Sequence, residues 1–367
     1  MRLCDAFAGH NERVSIVYPY TYMKDNIRFK DISACYGLEN NVHTRMLFTP
    51  LREHSAKATR FIFLLLGFSI STILLLAGNI FSRKKLVFIS RDAKSLLPAL
   101  CIRKLFAGMG KWKVFFMAAE VKHNRIYSWV VKESDGVLAG VTTTREAIRA
   151  IVSIPEEKFL LSLAPVPVYK NDLKRIQAKQ KIAYTVDKPL IVYTGKLGLD
   201  VHEVLYLLEA AAKLKSYSFL FTGGRQRVVE EIREYCKARD IDNVILTGFF
   251  EDTRMIRNYQ LAADVLVSYY TSKDHMIEFN YPQKINEYLS THNPVVTPDF
   301  PATRDVLNEK NVLFVKPDDV QSLVMGIQKL VENKELSNSL AAQAFQDVQE
   351  LTFHKRAGEF ISFIRSH

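Results

Sequence analysis

The second half of the chain alternates strand-length apolar runs, glycine-bearing turns and amphipathic stretches of helical length, and that order constrains the fold more than any other feature. Short apolar strands separated by helices cannot pair as hairpins. They are the pattern of a parallel sheet with helical crossovers. Strands are expected at 189–193, 218–222, 243–247, 264–268, 294–297 and 312–315, with helices at 203–214 and 227–239 and a helical region from 319 to the C-terminus. This is a doubly wound α/β domain of the nucleotide-binding type. The first half is a weaker version of the same pattern, with strands expected at 14–18, 86–90, 113–117 and 136–140.

A chain of 367 residues exceeds what one hydrophobic core usually serves, so two domains facing a cleft are expected. Residues 1–165 form the first, 166–188 connect, 189–350 form the second, and 351–367 are a terminal helix. The connection carries Pro167 and the basic polar run from Lys170 to Arg175, next to Pro165. A formal net charge of +11 attracts polyanions in general, but no zinc-finger spacing, recognition-helix pattern or RNA-binding aromatic motif is present, so nucleic acid is not an expected partner. Cys4, Cys35, Cys101 and Cys236 are scattered without metal or disulfide spacing, which suits free thiols in a reducing cytosol.

Residues 61–81 contain no charge and are long enough, as a helix, to cross a bilayer core of about 30 Å. The strand-like runs 14–18 and 86–90 flank this stretch and are expected in one sheet, which a crossing would prevent. Basic residues stand on both flanks (Lys57, Arg60; Arg83, Lys84, Lys85), so no orientation is favoured. A helix packed in the first domain and able to dip into a membrane surface is the preferred reading.

In a doubly wound domain ligands bind at the carboxyl ends of the strands. Three segments stand there. Thr194-Gly195-Lys196-Leu197-Gly198 offers a glycine that lets backbone approach a phosphate, with a lysine beside it; Thr222-Gly223-Gly224-Arg225 is a second such turn. Either alone is equally well explained as turn geometry with solvated cations. More specific is the segment from Tyr281 to Tyr288. Pro282 is expected at the first position of a helix, its start free to receive a diphosphate, with Lys284 adding charge and Glu287 one turn on to accept ribose hydroxyls.

Taken in order, Gly195-Lys196-Leu197, Thr222-Gly223-Gly224, Thr247-Gly248-Phe249, Ala263-Asp264-Val265-Leu266-Val267, Pro282-x-Lys284-x-x-Glu287-Tyr288 and Pro294-Val295-Val296 resemble the donor-binding half of retaining glycosyltransferases of the GT-B fold, family 4 (glycosyl transferases group 1). The resemblance covers about residues 189–360. It implies two Rossmann-like domains, transfer of a sugar from a nucleotide-diphosphate donor with retention, no essential metal or cofactor, and a C-terminal helix that returns to the N-terminal domain. Carried over, Lys196 and Lys284 would bind the diphosphate, Gly195, Gly223 and Gly224 would admit it, Pro282 would open the helix, and Glu287 would bind the ribose.

This sequence departs from the pattern in four places, one of them a spacing between Glu120 and His123 that is one residue longer. The second basic residue of many relatives falls at Asp200-Val201-His202, where His202 would have to substitute. The acidic residue eight positions before the ribose-binding glutamate falls on Phe279, with Glu278 beside it. Residues 1–9 already read as the first helix, so the first strand of the N-terminal domain and its glycine-rich loop are expected to be missing. In that domain Glu120 and His123 follow a strand and would face the transferred sugar as catalytic groups, and Arg91 and Asp92 would line the acceptor side.

The activity expected is that of a hexosyltransferase building a polysaccharide or glycolipid on a glycan or lipid-linked acceptor. Its place would be the cytoplasm, with peripheral contact at the inner membrane face through 61–81. The alternative is a non-catalytic sugar-nucleotide-binding or partner-binding module of the same fold. An epimerase or sugar-nucleotide hydrolase on that fold is a second rival.

Overall fold

The computed structural model describes residues 2–22, 42–52, 57–79, 85–105, 112–167, 169, 172–200, 202–250, 253–279 and 281–367. They divide into two units, one of Met1–Leu163 with Phe353–His367 and one of Ala164–Thr352.

Unit 2 is built on six parallel strands: β7 (Leu190–Thr194), β8 (Ser218–Thr222), β9 (Val244–Gly248), β10 (Val265–Val267), β11 (Val295–Pro298) and β12 (Leu313–Val315), numbered along the whole chain. Their spatial order is β12-β11-β10-β7-β8-β9. The chain therefore starts in the middle, builds outward through β8 and β9, then returns to the other side of β7. Crossovers of opposite sense leave a crevice at the carboxyl ends of β7 and β10, the switch point where such sheets take their ligands. Every residue of β7, β8, β10 and β11 is buried, because helices cover both faces of the sheet. Val204, Leu207, Leu208 and Ala211 of the helix His202–Lys213 pack on one face with Leu323 and Ile327 of the helix Val320–Glu332.

The stretch expected to connect the domains carries a seven-residue helix, Arg175–Lys181, that packs inside unit 2 against the helix Thr253–Ala262. Asp264, just ahead of β10, gathers it in: the carboxylate accepts from Lys179 Nζ at 2.6 Å and from the Leu190 N–H at 2.8 Å, and pairs with Arg175. Lys170 and Asn171 of the basic run lie outside the described residues.

Unit 1 holds two parallel sheets. One pairs β1 (Ser15–Tyr22) with β2 (His43–Arg52); the other has the order β3 (Leu86–Ser90), β4 (Trp112–Ala118), β5 (Gly136–Ala139), β6 (Phe159–Leu161). The expectation that 14–18 and 86–90 share a sheet is corrected: β1 takes β2 as its partner, a strand hidden in the sequence by Pro50 and by His43, Arg45 and Arg52. In β4, side chains alternate between two cores. Val114 and Phe116 join Val130, Val131 and Ile148, whereas Phe115 joins Leu138, Phe360 and Ala357. The latter two belong to the C-terminal helix Phe353–Ser366, which packs with the helix Arg2–Gly9 in this unit.

The apolar stretch forms the helix Lys57–Asn79, of 23 residues. Thr72 and Leu76 turn inward, and the helix packs on the helix Ala93–Leu105. Its other face leaves Ile62, Leu66, Ile70, Ile73 and Leu74 each more than half exposed. Among the described residues no helix is long and apolar enough to cross a membrane. The side chains of Lys57 and Arg60, with Arg83 and Lys84, lie outside the described residues; Lys85 is exposed.

Candidate functional site

The strand ends of unit 2 are laced together by glycine. The Gly195 N–H donates to the Thr222 carbonyl at 3.0 Å, and the Gly223 N–H to the Gly248 carbonyl at 2.9 Å. Gly223 has φ +130°, and a Cβ there would stand 2.0 Å from the Gly195 carbonyl oxygen, so only glycine fits where the two turns touch. Gly224, with φ +75°, continues the second turn into the helix Gln226–Lys237.

Against this backbone lies Lys284. A Cβ on Gly195 would meet its Nζ at 3.1 Å, and Nζ stands 4.2 Å from the Tyr193 ring centre and 4.7 Å from that of Tyr270. Two aromatic faces receive the ammonium where, among the described residues, a carboxylate partner is lacking at ion-pair distance. Burial pulls its pKa down to about 8, and the nearby Glu203 carboxylate pulls the other way. Lys196, the lysine next to Gly195, is exposed, and its carbonyl accepts from the Tyr193 hydroxyl at 3.3 Å.

Glu287 reaches the same strand end from the helix Gln283–Leu289. Its neighbour Tyr288, fully buried, accepts from the Thr194 N–H at 2.8 Å and shares a hydrogen bond with the Thr194 hydroxyl at 3.0 Å. Burial pushes the Tyr288 phenol far above its ordinary pKa. Gln260 donates from Nε2 to Glu287 Oε2 at 3.1 Å and to Thr194 Oγ1 at 3.3 Å. The far end of the helix is held by buried Arg257, which donates to the carbonyls of Glu287 and Ser290, pairs with Asp172 and stacks on Tyr169. Helix-terminal carbonyls are thus satisfied by a side chain rather than by a glycine cap.

The structure therefore gathers Gly195, Gly223, Gly224, Lys284 and Glu287 around the carboxyl ends of β7 and β8, with Lys196 in the adjoining turn. Gln260, Tyr193, Tyr270 and Glu203 complete the surroundings and were not singled out from sequence; no local motif marks them, because tertiary folding brings them in. Pro282 is corrected in position: it is the N-cap residue, φ −68° and ψ 116°, one place before the helix, and the helix has only seven residues. Glu278 ends a short 3₁₀ turn, His275–Glu278, and is exposed. The side chain of His202 lies outside the described residues.

In unit 1, Glu120 pairs with Lys122 at 2.5 Å while its backbone carbonyl accepts from the Tyr127 hydroxyl. His123 is exposed in the loop that leads to the helix Arg125–Glu133, capped by Asn124. Arg91 and Asp92 are exposed at the turn after β3. Asp92 accepts from the Lys94 N–H and shapes the start of the helix Ala93–Leu105.

Residues 188–333, which hold this site, match the family described as glycosyl transferases group 1. No curated protein matches the sequence. Among solved structures, the chain is similar to a sucrose-phosphate synthase from Thermosynechococcus elongatus (TM-score 0.74, 16% identity, covering 100% of this chain and 91% of that one). It is also similar to HepE from Anabaena in complex with UDP and glucose (TM-score 0.73, 12% identity, 100% and 95%). A third likeness is to the lipopolysaccharide outer core galactosyltransferase WaaB (TM-score 0.64, 16% identity, 89% and 84%). At these identities the likeness is one of fold: parallel sheets and helices as in GT-B glycosyltransferases.

Proposed function

We propose that the chain is a retaining, metal-independent glycosyltransferase that moves a hexose from a nucleotide-diphosphate donor to a glycan or lipid-linked acceptor. The observation that carries this reading is the meeting of Lys284, Glu287 and the Gly195 and Gly223 turns at the switch point of a sheet whose residues 188–333 match glycosyl transferases group 1. Glycine turns that admit a phosphate close to the backbone, a cation between two rings and a carboxylate one turn away suit a diphosphate and a ribose. That HepE is seen with UDP and glucose supports a nucleotide-sugar donor.

As the bond to the leaving diphosphate breaks, negative charge grows on the phosphate oxygens and oxocarbenium-like charge on the sugar. Lys196 and Lys284 would act by stabilising the former, the role a metal has in other designs, and no protein nucleophile is needed. Gly195, Gly223 and Gly224 would let the phosphates approach backbone, Pro282 would set the helix that carries Lys284 and Glu287, and Glu278 would lie beside the donor. Glu120 and His123 would meet the transferred sugar, and Arg91 and Asp92 the acceptor.

The reading is tested by thermal shift of the full-length protein with UDP, GDP, ADP and their sugars. A ligand at 100 times its Kd stabilises the protein by about 2.7 kcal/mol. Glu287→Ala and Lys196→Ala should each weaken the effective donor. Unchanged affinity in both sinks the site assignment. Product analysis with and without EDTA then separates a new glycosidic bond of retained configuration from a free sugar or an altered nucleotide sugar.

We further propose that the helix Lys57–Asn79 lies on an anionic membrane surface at the inner face. A helix that is apolar on all sides is ordinarily buried. Here one apolar face is covered by unit 1 and the other, from Ile62 to Leu74, is open, on a protein of net charge +11 with Lys85 exposed shortly after the helix.

A further inference from the structure

We propose that Gln260 is a positioning residue for the donor site: its side-chain amide fixes the Glu287 carboxylate so that one oxygen is engaged within the protein and the other is left for the ribose hydroxyls. This rests on the reading of Glu287 given above.

Gln260 is 1% exposed on the helix Thr253–Ala262. Its amide nitrogen has two hydrogens, and both are used, one on Glu287 Oε2 and one on Thr194 Oγ1. Thr194 is in turn fixed at the end of β7 by Tyr288, so the amide is aimed from a rigid base. The reverse orientation of the amide would set its carbonyl against the carboxylate, so the nitrogen must face Glu287. Glu287 Oε1 has no hydrogen-bond partner among the described residues and belongs to a partly exposed side chain.

Two features separate this from ordinary packing. The Gln260 carbonyl oxygen is buried without a partner among the described residues, a cost that an apolar side chain of the same size would avoid. A position that keeps such an amide is using its nitrogen. The amide is also neutral. A lysine or arginine there would neutralise Glu287 and compete for the oxygens that a sugar hydroxyl needs, whereas an amide orients the carboxylate and leaves its charge in place.

The experiment compares binding of the best of UDP, GDP and ADP with binding of its 2′,3′-dideoxy form to the full-length protein, by calorimetry. The wild type is expected to prefer the ribonucleotide tenfold or more, since two hydroxyls would donate to a charged acceptor. Gln260→Met should lose most of that preference while binding the dideoxy form as the wild type does. Adding it to Glu287→Ala should cost nothing further. Gln260→Glu gives an independent reading: at pH 8 the paired carboxylates repel and the preference falls, and toward pH 5.5 a shared proton restores it, a recovery that a merely structural role would not produce. If Gln260→Met keeps the full preference that Glu287→Ala abolishes, or Gln260→Glu shows no pH-dependent recovery, the positioning role is overturned while the donor site stands. If the wild type shows no preference, both fall together.

Discussion

Lys284, a residue of the proposed donor site, shows what enclosing a cation costs a fold. Burial holds its pKa at about 8, below the ordinary 10.5. Between those values the unfolded chain binds more protons than the folded one, so stability rises with pH across that window. Below pH 8 the whole cost of the buried cation is present. Lys284→Met is therefore expected to raise the melting temperature at pH 7, to raise it less near pH 10, and to weaken nucleotide-diphosphate binding about tenfold or more. Melts at both pH values and a binding isotherm check this; a lower melting temperature with unchanged affinity would contradict it. Above pH 8 the wild type should take up a proton on binding, visible as a dependence of the binding heat on buffer. That Lys284 and Glu287 share one short helix was legible in the sequence, because they stand three apart after a proline. Gln260 was not, because its partners Thr194 and Glu287 lie 66 and 27 residues away, and nothing local distinguishes it from any helical glutamine.

Legibility at the level of elements followed the same division. β3 and β8 fall on the residues expected, since a five-residue apolar run between turns leaves little choice. β6 has three residues and no room for a pattern, and β2 contains a proline and three basic groups. The helix Arg175–Lys181 reads as a charged connection because it has no apolar stripe: Ala178 is its one buried residue, and ion pairs to Asp264, more than 80 residues on, secure it. The helix Lys57–Asn79 was legible as an apolar segment, but its open face was not, because hydropathy does not say which side is covered. That face yields a prediction for the element as a whole. Leu66→Gln with Ile70→Gln removes two residues that are more than half exposed, so the melting temperature should hold while sedimentation with anionic vesicles falls several-fold. Equal sedimentation of variant and wild type, or none by the wild type, rules out a membrane surface for this helix.

At the scale of the molecule, the two units have separate cores and the proposed donor groups lie in one of them. Calorimetric unfolding should therefore respond unit by unit. A nucleotide diphosphate should raise the transition of unit 2, whereas Phe360→Ala, which empties a buried ring site against Phe7 and Phe115, should lower that of unit 1 by about 3–5 kcal/mol. A variant that loses nucleotide affinity with Phe360 would refute the independence. The placement of Phe353–Ser366 in unit 1 has one more consequence, and it concerns time. A chain leaves the ribosome from its N-terminus, and domains generally fold in the order they emerge. Here that order is inverted. Unit 2 has all its residues once Thr352 is made, but unit 1, begun first, keeps Phe115 and Leu138 uncovered until the last helix arrives. The earlier half of this protein is the one that must wait, and its nascent form is where a chaperone would be needed.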